Sequence, residues 1–202
     1  MGIAERKERE RQEMQDRIVE AAKRLFMENG FEKTSIRKIA EAIEYSPAAI
    51  YRYFESMDEI FYAVHAEIFD LLYDHMKDVL QVEHPLDRLR QLGERYLTFA
   101  LENPEYYDLL FLHPSPMNSV HTEEEWHSVE NTFGLVFNTV DECVKAGCFP
   151  GKDVHSTTFI MWASIHGMVT LRMRCRMKMY PEEVQIPLMR QSINQLLDSM
   201  TQ

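Results

Sequence analysis

The chain has 202 residues, 45% of them hydrophobic and 27% charged, with a formal net charge of −11, the composition of an ordinary globular protein with enough length to bury a core in one or two domains. Seven glycines and eight prolines argue against a many-turned sheet protein, and three cysteines without a C-x-x-C pair exclude a disulfide framework or a cysteine zinc site, leaving Cys143, Cys148 and Cys175 as small core or surface residues. The charge is uneven: residues 1 to 55 carry eleven Lys+Arg and eleven Asp+Glu, so the remainder supplies all of −11, as expected of a segment that meets an anion joined to an acidic body that does not.

The opening MGIAERKERERQEMQDR has no apolar run behind its charges, which predicts no secretory signal and a cytoplasmic protein. Apolar residues then recur three and four apart along nearly the whole chain, predicting an all-α fold of about nine helices. Ile18, Ala21, Ala22, Leu25 and Phe26 line the first helix, which stops at Asn29-Gly30. Residues 35 to 43 form a short second helix. A third of about two turns starts with Ser46 as its cap and Pro47 in the first helical position, where a missing N–H costs nothing. Ser56 and Glu59 make a capping box that opens a fourth helix to about residue 81. Pro85 starts a fifth helix to Ala100, and Asn103-Pro104 leads into a short sixth, PEYYDLLFL. HPSPMNSVH reads as a loop, and Thr122 with Glu125 caps a seventh helix that runs to Gly147. An eighth spans 153 to 178, and a ninth runs from Pro181 to near Met200. The most apolar stretch, FIMWASIHGMV, is interrupted by Ser164 and His166 and is shorter than the ~20 residues that cross a bilayer, so no membrane segment is predicted.

Two short helices joined by a tight turn, residues 35 to 54, fit a helix-turn-helix unit whose second helix enters a DNA major groove. Residues 18 to 61, IVEAAKRLFMENGFEKTSIRKIAEAIEYSPAAIYRYFESMDEIF, carry A-x-x-L-F, N-G-F, T-S, I-A and S-P-x-x-I-Y-x-Y-F in order, and here the sequence resembles the tetracycline-repressor (TetR) family of bacterial regulators. More loosely, YLTFALENPEYYDLLF and WASIHGMV resemble a subgroup whose effector domain carries a Trp-His-Gly signature, here Trp162, His166 and Gly167.

The resemblance implies a helix-turn-helix domain over residues 1 to 55 and a helical effector-binding and dimerisation domain over 56 to 202. It implies a homodimer that represses transcription from a double-stranded operator with two half-sites until a small molecule releases it, and no cofactor. Carried onto this chain, it sets Arg37, Ala48 and Ala49 near base edges and Ser35, Tyr51, Arg52 and Tyr53 near phosphates, with Ser46 at the helix tip. The chemistry suits this: arginine binds guanine O6/N7 bidentately and alanine methyls pack on thymine methyls. KTSIRK adds Lys33, Arg37 and Lys38 without an acid. Tyr51 and Tyr53, two apart on a helix, cannot both point inward, whereas Ile50 and Phe54 share the buried face. Arg52 reads equally as a solvated arginine. The arm cations Arg6, Lys7, Arg9 and Arg11 read either as minor-groove contacts or as a solvated tail. Glu44-Tyr45 stands where the family usually has Gly in the turn, and Met57 where it usually has Lys.

Helices five to eight supply Tyr96, Phe99, Tyr107, Phe111, Phe133, Phe137 and Trp162. Such stripes ordinarily form core; with His113 and His166 as the polar share they are also the candidates for an apolar ligand pocket. Thirteen methionines favour a lipophilic guest. RMRCRMK, residues 172 to 178, reads either as cations at a helix C-terminus or as a partner for an acidic ligand or second subunit. In the family the last two long helices pair across the dimer, which assigns Ile186, Met189, Ile193, Leu196, Leu197 and Met200 to that interface. The rival readings are a helical adaptor with a degenerate DNA-binding head and a metal-dependent enzyme. The second is the weaker: His121 and His127 lack H-E-x-x-H spacing and no Gly-rich phosphate loop or G-x-S-x-G elbow occurs, so no metal or catalytic residue is expected.

Overall fold

The structure, a computed structural model, describes residues 2–113 and 127–201. The described residues are almost entirely helical, with nine α-helices and no strand: α1 Ile3–Asn29, α2 Ile36–Ala42, α3 Pro47–Ile50, α4 Met57–Lys77, α5 Pro85–Glu102, α6 Pro104–Tyr107, α7 His127–Lys145, α8 Val154–Met173 and α9 Glu182–Met200. No described helix is long and apolar enough to cross a membrane. The chain divides into two compact units that do not follow a break at residue 55. The first comprises the described parts of Met1–Phe69 and Glu105–His127, the second Asp70–Pro104 and Ser128–Gln202.

In the first unit the α1 stripe does what its spacing requires: Ile18, Ala22 and Phe26 are buried, and Ile39, Ala40, Ile50, Phe54, Ile60, Phe61 and Val64 complete the core. Burying each of the larger side chains contributes roughly 1.5–3 kcal/mol. The charged arm is not a tail. It is the first four turns of α1, and it is helical because its charges alternate at helix spacing, with Arg6 2.7 Å from Glu10 and Arg9 3.6 Å from Glu13. Ser35 caps α2 and Ser46 caps α3, each accepting from the backbone N–H three residues on. The third helix is shorter than its expected two turns. After one turn the bonds tighten to i→i−3, Arg52 N–H donating to the Ala49 carbonyl and Tyr53 N–H to the Ile50 carbonyl, and the α-helix stops at Ile50. Ser56 accepts from Glu59 N–H as expected, but the Glu59 carboxylate reaches Glu55 N–H, one residue further back than the capping box predicts. The expected sixth helix is one α-turn followed by a π-helical turn, Asp108–Leu112.

Three helices, α5, α8 and α9, form the core of the second unit. Leu89, Leu92, Tyr96, Leu97 and Phe99 from α5 meet Met161, Ile165 and Val169 from α8 and Met189, Ile193 and Leu197 from α9. Gly93 permits the close approach, since a methyl there would lie 3.1 Å from Ile193 Cγ2 and 3.3 Å from Ile165 Cδ1. Ion pairs fasten the rim: Arg190 to Glu94 at 2.6 Å, Arg88 to Glu142 at 2.6 Å, and Arg90 to Asp198.

Two sequence expectations are corrected here. Met189, Ile193, Leu197 and Met200 are buried within the chain, so the apolar stripe of α9 faces its own α5 and leaves only half-buried Ile186 and Leu196 from the set assigned to a dimer face. The helix α8 ends at Met173 instead of running to 178, because Cys175 adopts φ 53° and turns the chain, placing Arg174, Arg176 and Lys178 outside the helix. The Thr122–Glu125 cap, the HPSPMNSVH loop after His113, and the His/Glu cluster of His121, Glu123, Glu124 and Glu125 before His127 lie outside the described residues.

Candidate nucleic-acid interface

The turn between α2 and α3 decides whether the pair can present a common face. Glu44 has φ 61°, with its N–H donating to the Glu41 carbonyl at 3.2 Å, while Tyr45 N–H donates to Ala40 at 2.8 Å. These are the two bonds of a helix stop whose left-handed position is usually glycine. The Glu44-Tyr45 pair therefore makes the turn that glycine would make, at a cost of roughly 1–2 kcal/mol of backbone strain. Part of the compensation is Tyr45, whose ring lies 5.5 Å from the Arg17 guanidinium of α1, a contact worth about 0.5–1 kcal/mol at an exposed site. Neither Arg17 nor Tyr45 was among the sequence candidates; the only signal was the missing glycine. Glu44→Gly should raise stability by about 1 kcal/mol and Tm by roughly 2–4 °C, read by thermal unfolding.

With that turn in place, none of the residues assigned to DNA is fully buried. Lys33, Ser35, Arg37, Lys38, Ser46, Ala48, Tyr51 and Arg52 are exposed and Ala49 and Tyr53 half-buried, while Ile50 and Phe54 turn inward. Arg37 is 81% exposed at its side chain and pairs with Glu41 at 2.9 Å, an i,i+4 contact worth at most about 0.5 kcal/mol. Lys38 Nζ donates to the Lys33 carbonyl, fastening the loop before α2 to the helix. Ala48 sits on the first turn of α3 with no side chain beyond its methyl, so the helix tip can approach a base edge closely. Tyr51 is 56% exposed. The face thus offers cations, hydroxyls and methyl groups, the three kinds of group that position on phosphates and read a major groove.

The ligand candidates fall in both units. In the first, Tyr107 is fully buried with its ring tilted against Phe111 at 4.9 Å, Phe111 meets Phe69 edge-on, and His113 packs against both Phe31 at 4.4 Å and Phe61 at 5.0 Å. In the second, Tyr96 and Phe99 are buried, the Tyr96 hydroxyl lies 3.5 Å from His166 Nδ1, and the Trp162 ring lies 5.8 Å from that imidazole. Burial pushes the His166 imidazole below its ordinary value, so it is neutral at pH 7. Phe133, which stacks on Phe137 at 6.2 Å, and Trp162 are more exposed than core aromatics should be. Among the described residues no group of three or more His, Cys, Asp or Glu side chains is placed to hold a metal ion.

Comparison with known proteins reaches both parts of the chain. A family model described as "Bacterial regulatory proteins, tetR family" matches residues 18–64, and one described as "Tetracyclin repressor-like, C-terminal domain" matches residues 89–198. Neither singles out a Trp-His-Gly subgroup. The HTH-type transcriptional regulator Rv1816 of Mycobacterium tuberculosis is 22% identical over 189 residues, covering 80% of this chain and 81% of its own length. Among solved structures, the TetR family regulator PfmR from Thermus thermophilus superposes with a TM-score of 0.65 at 23% identity, over 90% of this chain and 97% of its own. FadR from Bacillus subtilis, solved in complex with stearoyl-CoA, gives 0.66 at 17% identity, over 92% and 96%. With an all-helical fold, an exposed helix-turn-helix face and family matches over both parts, the chain belongs to the TetR family of bacterial regulatory proteins and is a transcriptional regulator with an N-terminal helix-turn-helix DNA-binding domain.

Proposed function

We propose that this protein is a homodimeric repressor that holds an operator of two half-sites and is released from it by a small lipophilic ligand. The observation that supports the DNA part is the exposure of the α2 and α3 side chains; on this reading Arg37, Ala48 and Ala49 turn toward base edges and Lys33, Ser35, Lys38, Ser46, Tyr51, Arg52 and Tyr53 toward phosphates and the groove wall. The dimer part draws support from α8, where Phe159 is 61% exposed and Ile160 and Trp162 are also on the surface; such a run of large apolar side chains is costly in water and suits an isologous helix-helix contact. On this reading the partner meets the outer face of α8 together with Ile186 and Leu196 of α9, since the rest of the α9 stripe is already covered. For the ligand, the Tyr96–His166 pair supplies a neutral polar group among aromatics, and the similarly folded FadR, solved in complex with stearoyl-CoA, supports the choice of a lipophilic guest to test.

The test is fluorescence anisotropy of purified protein on DNA from the gene's own upstream region across a salt series. A dimer that neutralises about 4 to 8 phosphates should give a slope of log K against log salt between about −4 and −7, with two chains per site by native mass spectrometry. A slope near zero, or one chain per site, contradicts the proposal. Adding stearoyl-CoA or a free long-chain fatty acid to the preformed complex then asks whether a lipophilic acid lowers the affinity.

A further inference from the structure

In the sequence Cys143 and Cys148 are two separate small residues; the fold brings them together. The helix α7 stops at Gly147, φ 76°, whose N–H donates to the Val144 carbonyl at 3.1 Å, while Cys148 N–H donates to the Cys143 carbonyl at 2.8 Å. In this kind of helix stop the residues joined by the outer bond also meet through their side chains. The covalent path on either side of a 2.8 Å bond keeps the two α-carbons within about 6.7 Å of each other. A disulfide needs roughly 4.4–6.8 Å. Cys143 is fully buried and Cys148 half-buried, the two facing each other across this helix stop. Desolvation, reinforced by the neighbouring Cys148, pushes the Cys143 thiol up to about 12, so it stays protonated while Cys148 is the sulfur that solvent reaches.

We propose that Cys143 and Cys148 form a redox-active dithiol that a hydroperoxide closes into a disulfide. Cys148 sulfur attacks the peroxide: an S–O bond forms, the O–O bond breaks, and the departing oxygen takes the thiol proton and leaves as water or an alcohol. Cys143 sulfur then attacks the Cys148 sulfenic acid. The S–S bond forms, the S–O bond breaks, and hydroxide leaves with the Cys143 proton as water. The two sulfurs are oxidised and the peroxide oxygens reduced. Gly147, with open space where a side chain would stand, leaves the intervening backbone free to adjust.

Lys145 lies between the two cysteines, so trypsin separates them unless they are bonded. Folded protein carrying Cys175→Ser, to remove the exposed third thiol, is treated with hydrogen peroxide, quenched in acid, alkylated under denaturing conditions and digested. The expected product is the Cys143 and Cys148 peptides joined, lighter than their sum by two hydrogens, parted by dithiothreitol and absent when Cys148→Ser is added. Separate peptides with both cysteines alkylated, a Cys148 driven to sulfinic acid beside an alkylated Cys143, or a disulfide that forms only after circular dichroism reports unfolding would each overturn the proposal.

Discussion

Arg37→Ala should weaken operator binding by about 1–3 kcal/mol per half-site, roughly 5- to 150-fold, and should flatten the preference for guanine at one operator position without altering the rest of the site. The magnitude follows from what the side chain gives up on binding. In the free protein its guanidinium is spread over solvent and paired with Glu41 in an i,i+4 contact worth at most about 0.5 kcal/mol. A bidentate hydrogen bond to guanine is worth several times that, so the pair opens in the complex and the balance favours DNA. The same arithmetic gives the opposite sign for the partner residue. Glu41→Gln releases Arg37 and removes a negative charge one turn along α2, so it should strengthen binding modestly and steepen the salt dependence little. Competition titrations against operators mutated one base at a time check both. If Arg37→Ala weakened every operator variant equally, the side chain would be a phosphate contact, and the guanine assignment would fall.

What was legible in the sequence was where helices start and which faces they bury. Ser46 and Ser56 announce helix starts because a short side-chain oxygen satisfies an N–H three residues on, and the structure uses both, as it uses Ser35, which sequence reading did not single out as a cap. Ile50 and Phe54 turned inward as their spacing requires. The alternating charges of residues 5 to 13 left a minor-groove arm and a solvated tail equally open because charge alone carries no information about order; their i,i+4 registry was the signal that a helix holds them.

The rest depended on partners distant in sequence. The stripe of α9 is apolar whether it faces α5 or a second subunit, and only the fold shows that Gly93 opens a place for Ile193. The end of α8 rests on a left-handed Cys175, a conformation that no residue other than glycine signals in advance. The missing glycine at Glu44 raised a doubt about the DNA-binding turn that the structure answers, since the same pair of backbone bonds forms and the tyrosine beside it gains a cationic neighbour. His65 is the most consequential residue that sequence pattern passed over, because a histidine on an apolar helix face gives no sign of how deeply it will be buried.

Lowering the pH from 6.5 to 4 should remove about 3 kcal/mol of stability through His65 alone, a sizeable share of the roughly 5–15 kcal/mol that holds a typical domain folded. The imidazole is 1% exposed on α4; its Nε2–H donates to the Leu110 carbonyl at 3.2 Å, and Nδ1, equally buried, has no protein partner among the described residues. Phe69 closes over the ring edge-on at 4.8 Å. A second proton would sit on Nδ1 in this apolar surround. Desolvation accordingly outweighs the carbonyl contact and drops the folded-state value from 6.5 to about 4. Between those two values the unfolded chain holds more protons than the folded one. The contribution is therefore complete above pH 6.5 and is lost as the pH falls toward 4. His65→Gln keeps an N–H for Leu110 and cannot titrate, at a cost of about 1 kcal/mol near pH 7 from the lost ring contact with Phe69. Urea unfolding of both proteins at half-unit steps from pH 7.5 to 4 isolates the effect, because the carboxylates that titrate at the acid end are common to the two. The curves should converge and then cross as the pH falls, wild type losing about 3 kcal/mol more than the variant; parallel curves would place the titrating group elsewhere.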